Sequence, residues 1–429
     1  MLAEQLISFL RGKEADSALL RLYPARHLAA QKQRYIALTE EFARRYGADR
    51  ELSLFSVTGR TELSGNHTDH NRGLVLCGSV SLDIIAVVSP REDTLVHLKS
   101  EGFPEDTVDL AAFSSPAPSR FGRSDALIAG VADGMRRRGY RTGGFDACTA
   151  SDVLKGSGLS SSAAFEDMVG LIFSELYNGG KVDHLTVAQI SQYAENAYFG
   201  KPCGLMDQIA CAFGGVVSVD FADTEHPAVT QFDFSPIAKD YDFCVVNTGG
   251  NHADLTDDYA AIPAEMKSVA AAFGKTALRD VPEADFRAAL PSLREACGDR
   301  AVLRAAHFYA ENRRVAAQKA ALAADNIPEY FRLVLESGRS SCMFLQNAFS
   351  AKAPREQGLT LALCLCEEFV SGLHKPAAYR LQGGGFAGTV QAYIPKEDTA
   401  AFAERMSSVF GKDAVLVLSI RPLGAVRVL

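Results

Sequence analysis

The chain has no Cys-x-x-Cys pair, no apolar run long enough for a bilayer, no excess of basic residues and no internal repeat. Each absence removes a class. Without paired thiols, zinc ribbons and thioredoxin-type redox motifs are excluded. The nine Cys are scattered, and Cys77, Cys211, Cys244, Cys364 and Cys366 sit in apolar runs, as free thiols do in a reducing compartment. No stretch reaches the roughly 18 apolar residues of a membrane span. The N-terminal "MLAEQLISFLRGKEADS" carries Glu4 early and lacks the apolar core of a signal peptide. A cytoplasmic protein without a membrane partner is expected. A formal net charge of −8 provides no footprint for nucleic acid, although one local phosphate pocket remains compatible with it.

What is present suits a sizeable globular protein. A length of 429 residues gives two or three domains. Residues 1–50 place Leu and Phe at helical spacing. Residues 52–88 turn strand-like, interrupted by one polar stretch. "DALIAGVADGMRRRGY" reads as a helix with Arg136, Arg137 and Arg138 in its last turn. A second helical stripe, Ala164, Met168, Leu171, Ile172 and Leu176, stops at Asn178-Gly179-Gly180. "TVAQISQYAENAYFG" follows, with Thr186 and Gln189 in capping-box spacing. After "GGVVSVDF" the character shifts to one buried-type strand and long Ala-rich helices. "YRLQGGGFAGTVQAYIP" then reads as strand, glycine loop, strand. The expected class is α+β in two lobes, 1–230 and 231–429, with a soft break near 220–238.

Three segments concentrate chemistry. "GRTELSGNHTDHN", Gly59 to Asn71, gathers two His, an Asp, a Glu, two Asn and an Arg between apolar strands. By itself it suits a sugar site, a metal site or a polar turn. His67 and His70 flank Asp69 at a spacing that zinc accepts, but no third His or Cys ligand lies nearby and Arg60 opposes a cation. The second segment is Gly156-Ser157-Gly158-Leu159-Ser160-Ser161-Ser162, directly before a helix. Glycines admit an anion to backbone N–H groups and a helix N-terminus favours it. A serine-rich cap is the plainer reading. Neither a Walker A loop nor a Rossmann fingerprint matches. The third segment, "AENAYFGKPCGLMDQIACAFGG", holds Glu195 and Asp207 in apolar surroundings, where a carboxylate needs a partner or a task. Asp207 reads as a capping residue, or as a base or orienter. Glu195 with one serine would suffice for Mg²⁺, which takes hard oxygens and substrate phosphates.

Taken in order, these segments resemble the GHMP kinases, and within them the galactokinases. The first segment is similar to a sugar motif usually read Gly-Arg-Val-Asn-Leu-Ile-Gly-Glu-His-Thr-Asp-Tyr-Asn. "GSGLSSSAA" resembles the phosphate loop, "PCGLMDQ" the base-bearing segment, "LQGGGFAGT" a C-terminal glycine motif and "HFYAENRRV" a family helix. The resemblance covers most of residues 50–395. It implies a two-lobed fold with ATP and sugar between the lobes. It implies Arg60 and Asp207 as catalytic residues, with Arg60, Asn66, His67, Asp69, Gly204, Asp207 and Tyr259 around the sugar, the last seven residues after His252. It implies ATP phosphates on residues 156–162 and Mg²⁺ on Ser162 and Glu195. The expected reaction is ATP-dependent phosphorylation of a hexose at its anomeric hydroxyl, with galactose first, by a monomer or weak oligomer. There are departures: Asn66 replaces a Glu, His70 a Tyr, and Lys155 precedes the loop. They keep open a sugar modified at C6, or a uronate. A non-catalytic sugar sensor is the alternative of another class.

Overall fold

The computed structural model describes residues 1–112, 115–153, 159–249 and 255–429. Strands β1 (Ser53–Ser64), β2 (Leu74–Pro90), β3 (Leu95–Ser100), β4 (Glu105–Asp109), β5 (Phe145–Ser151), β6 (Val216–Asp220) and β7 (Ala228–Phe232) build the first sheet. Strand β2 is long enough to serve two neighbours on one edge. Its residues Leu74 to Gly78 pair with β6, and Ile84 to Pro90 pair with β5. Strand β3 joins β5 in parallel and β4 antiparallel. Strands β8 (Tyr241–Asn247), β9 (Ala378–Gln382), β10 (Thr389–Pro395) and β11 (Val415–Leu418) form a second, antiparallel sheet in the order β11-β8-β10-β9.

The β1–β2 hairpin is the spine of the first sheet, and every residue of β1 is buried. Alternation along it explains why. Leu54, Ile85 and Val87 point to the N-terminal helices Ala3–Arg11 and Leu28–Tyr46. Phe55, Val57, Ala86 and Val88 point the other way, into the core with helices Ser124–Arg137 and Ser161–Asn178. A sheet covered on both faces needs near-continuous apolar strands, which is how 52–88 reads.

Two details differ from expectation. The second helix begins at His184, not at a Thr186–Gln189 box. Asp183 is its cap: Asp183 Oδ1 accepts from Thr186 N at 2.9 Å, and Thr186 Oγ1 donates to Asp183 Oδ2 at 2.8 Å. A carboxylate one turn earlier outcompetes the hydroxyl for the free N–H groups. The other difference is at the C-terminus. Strand β12 (Val426–Arg427) returns to pair with β1, so the second half of the chain closes the edge of the first sheet.

Candidate active site

Gly65 makes the sharp exit from β1. Its φ is +90°, and a Cβ there would lie 2.5 Å from the Leu74 carbonyl oxygen. The turn that follows is held from the second half of the chain. Glu311, in the helix Asp299–Ala323, accepts from Gly65 N and Ser64 Oγ, both at 3.0 Å. Burial pushes the Glu311 carboxyl up, but Arg314, His307, Arg380 and the Ser337 hydroxyl outweigh it and bring it down to about 2. His307 Nε2 donates to the Asn66 carbonyl at 3.0 Å, which leaves Nδ1 to accept from Ser340 Oγ at 2.8 Å. The "HFYAENRRV" helix is thus the prop beneath the polar turn.

Arg60, from the middle of β1, crosses to Asp207 in the first turn of helix Met206–Phe213. The pair is bidentate: Nε to Oδ1 at 2.6 Å and Nη2 to Oδ2 at 2.7 Å. Such fork geometry fixes both groups. Burial raises the proton affinity of Asp207, yet the Arg60 charge, its hydrogen bonds and the Ser160 hydroxyl more than reverse that and hold the carboxyl below its usual range. Burial works against the Arg60 charge too, and Asp207 more than compensates. Ser160 Oγ also donates to Asp207 Oδ2. Among the described residues three donors meet a carboxylate with about four acceptor positions, which leaves one for a further donor. The Asp207 side chain as a whole is 31% exposed.

Ser160 adopts the left-handed conformation, φ +56°, and opens the helix Ser161–Asn178. The end of the loop is tied to β1, because Arg60 N donates to the Leu159 carbonyl at 3.0 Å. Lys155, Gly156, Ser157 and Gly158 lie outside the described residues, as does His252. Ser162 Oγ donates to Glu195 Oε1 at 3.1 Å. Glu195 sits in a π-helical turn, Ala194–Phe199, that continues the second helix. Lys201 Nζ rests 2.8 Å from the same Oε1, and Gln208 Nε2 donates to Oε2 at 2.9 Å. Two hard oxygen donors side by side, one of them already paired with a cation, suit Mg²⁺ completed by phosphates. No group of three His, Cys, Asp or Glu able to hold a metal ion occurs among the described residues, so the zinc reading of His67, Asp69 and His70 gains nothing.

His67 Nε2 donates to the Gly384 carbonyl at 3.0 Å. Burial, then the neighbouring His70, lowers its pKa to about 4, so the ring is neutral and Nδ1 is an acceptor. Asp69 and Gly204 meet closely: a Cβ on Gly204 would lie 2.0 Å from Asp69 Oδ2. Tyr259 donates to the Gly385 carbonyl at 2.9 Å. Arg60, His67, Asp69, Gly204, Asp207 and Tyr259 thus sit on elements that adjoin the turn and the glycine loop.

Asn66 is different from what was expected. It is fully buried, and its amide is engaged at every position by the protein. Nδ2 lies 2.9 Å from Glu62 Oε1 and 2.7 Å from the Gly383 carbonyl. Oδ1 receives Asn347 Nδ2 at 2.7 Å and Ser341 Oγ at 3.4 Å. An amide has two donors and two acceptor positions, so none is left to read a sugar hydroxyl. The case for a sugar altered at C6 loses the part of its support that Asn66 supplied. Glu62, Lys201, Arg380 and Asn347 escaped the sequence reading. Only Glu62 left a signal, two residues from Arg60 on a strand.

Two family models match the chain: GHMP kinases N terminal domain over residues 126–215, and Galactokinase galactose-binding signature over residues 40–90. A galactokinase of Streptomyces coelicolor is 32% identical over 371 residues, 86% of this chain and 92% of its own length. The human galactokinase is 30% identical over 425 residues, 95% of this chain and 98% of its own. The structure of Lactococcus lactis galactokinase complexed with galactose superposes with a TM-score of 0.76 at 25% identity, covering 91% of this chain and 99% of that one. The chain belongs to the galactokinase family of the GHMP kinases.

Proposed function

We propose that this protein transfers the γ-phosphoryl group of ATP to the anomeric hydroxyl of galactose, giving galactose 1-phosphate and ADP. The observation that carries it is the Arg60–Asp207 fork, with one acceptor position of Asp207 open and a helix N-terminus beside it. Phosphoryl transfer asks mainly for positioning and charge stabilisation. Asp207, kept ionised by Arg60, accepts the hydrogen bond of the anomeric hydroxyl and aims its oxygen at the phosphorus. A carboxylate of depressed proton affinity is a weak base, so it takes the proton late, as the new P–O bond forms. Arg60 neutralises charge on the moving phosphoryl group. His67, Asp69, Gly204 and Tyr259 are proposed around the sugar.

Residues 156–162 are proposed to cradle the ATP phosphates, with the N–H groups at the start of helix Ser161–Asn178 completing the cradle. Ser162 and Glu195 would hold Mg²⁺, which when bound supplies positive charge to the phosphate oxygens. The substrates are placed between lobe 1–230 and lobe 231–429. The scattered free thiols suit the cytoplasm, and no helix among the described residues is long and apolar enough to cross a membrane. A monomer or weak oligomer acting on small molecules, without nucleic acid, is proposed. The test is ADP release from purified protein over a panel of free sugars with Mg²⁺ and ATP. Turnover should be highest with galactose. A protein that binds galactose but releases no ADP with any sugar is instead a sensor.

A further inference from the structure

Two residues beyond Arg60 on β1 lies a second arginine–carboxylate pair. Glu62 is 4% exposed and Arg380, from β9 of the second sheet, is fully buried. Arg380 Nη2 donates to Glu62 Oε1 at 3.0 Å. Nε and Nη1 of Arg380 find no hydrogen-bond partner among the described residues. Glu62 is therefore the group that holds this charge in place across the two sheets. Asn66 stands on the same carboxylate, and from there its amide reaches the Gly383 carbonyl and Asn347. Asn347 Nδ2 also donates to the Gly384 carbonyl at 3.1 Å, the oxygen that His67 uses. The backbone of Asn347 closes the far side, since a Cβ on Gly385 would lie 2.2 Å from the Asn347 carbonyl oxygen.

We propose that Glu62, Asn66, Arg380 and Asn347 form a buried clasp between the sheets that positions His67 and the glycine loop 383–385 against the sugar, and that Asn66 acts through this clasp and not by touching sugar. The inference rests on the sugar-kinase reading above. Its chemistry is specific. The clasp needs one carboxylate and one amide facing each other beside Arg380. The galactokinase motif that the chain resembles has Asn where Glu62 stands and Glu where Asn66 stands. Relative to that motif the two residue types are exchanged, so the pair should tolerate being exchanged back but not being broken.

The experiment is a double-mutant cycle of E62N, N66E and E62N/N66E in the full chain, read by KM for galactose, KM for ATP, kcat and melting temperature. E62N removes the carboxylate that Arg380 hydrogen-bonds among the described residues. N66E sets two buried carboxylates about 3 Å apart, a like-charge pair that resists joint ionisation. Each single variant should raise KM for galactose by roughly tenfold or more, the scale of one hydrogen bond to a charged group. KM for ATP should move by less than about threefold, since the described end of the ATP loop bonds Arg60, Asp207 and Glu195 and not the clasp residues. The exchanged variant should recover to within about threefold of wild type, a coupling that independent sites do not show. An exchanged variant as poor as the worse single variant, or a sum of the two defects, overturns the clasp.

If the single variants do not fold, N347A supplies the second reading. It removes the donor shared by Asn66 and Gly384 without burying a charge. A galactose KM raised several-fold with KM for ATP unchanged supports the clasp, and an unchanged galactose KM overturns it. Wild-type turnover on galactose separates the two claims. Wild type inactive on every sugar removes the kinase reading. Wild type active with no recovery in the exchanged variant removes only the clasp.

Discussion

One strand, β1, presents two arginine–carboxylate pairs, and they behave as opposites. In Arg60–Asp207 the carboxylate is 31% exposed and its proton affinity is depressed. In Arg380–Glu62 the side chains are 0% and 5% exposed. There burial pushes the Glu62 carboxyl up further than Arg380, Arg60 and Asn66 can pull it down. The chemical pair is the same, and solvent decides its use. A partly solvated carboxylate with a free lone pair can meet a substrate. A dry one surrounded by protein donors can only hold structure, and removing its partner strands a charge.

The comparison is sharpest if each pair is cut. D207N should retain nucleotide binding and lose about 10²–10⁴ in kcat, the usual range for a group that handles the transferring proton. Equilibrium ATP binding alongside steady-state rates checks this, and near-wild-type turnover would remove Asp207 from the chemistry. R380M should do the reverse in kind. It should destabilise the fold by about 3–5 kcal/mol in denaturant titration, the cost of leaving one half of a buried pair. D207N should change stability less, because the amide oxygen can still accept from Arg60 and the side chain it replaces is 31% exposed. A loss of stability as large in D207N as in R380M would erase the distinction.

pH separates the pairs as well. Asp207 has a lowered folded pKa, so it stays ionised below the normal carboxylate range. Activity that needs its anion persists as pH falls and is lost only through that lowered pKa. R60M removes the main force holding Asp207 down and leaves burial, which raises it. The acid limb of kcat should therefore move to higher pH in R60M. An acid limb that does not shift would mean that another group controls it. The smallest effect is expected at the metal. E195Q should raise the Mg²⁺ concentration needed for half-maximal rate several-fold, with galactose KM unchanged. An unaltered Mg²⁺ curve would leave Glu195 as a structural partner of Lys201, Ser162 and Gln208.

Which of these features sequence could disclose follows from distance along the chain. Arg60, the serine loop and Asp207 lie in short segments whose local pattern is distinctive. Strands β1 and β2 announce themselves because a sheet covered on both faces needs unbroken apolar runs. The clasp is invisible in that way. Glu62 meets Arg380 across 318 residues, and Asn66 meets Asn347 across 281. Nothing near Arg380 in "AAYRLQGGG" separates a buried cation from a surface one. Asn66 is opaque for the same reason: its segment names a polar residue at a turn, and only the packing of the second sheet shows that its amide is already engaged. The cap at Asp183 was missed on a smaller scale, since a nearby Thr and Gln offered the same local pattern.

The measurement that bears most directly on the Arg60–Asp207 site is the ³¹P spectrum of the product made from galactose and ATP by wild type and by D207N. Wild type should yield a sugar phosphate whose phosphorus couples to the anomeric proton, together with an equal amount of ADP, and D207N should yield almost none in the same time. Phosphorus on any other oxygen of the sugar, or ADP formed without a sugar phosphate, would contradict the assignment of Asp207 to the anomeric hydroxyl.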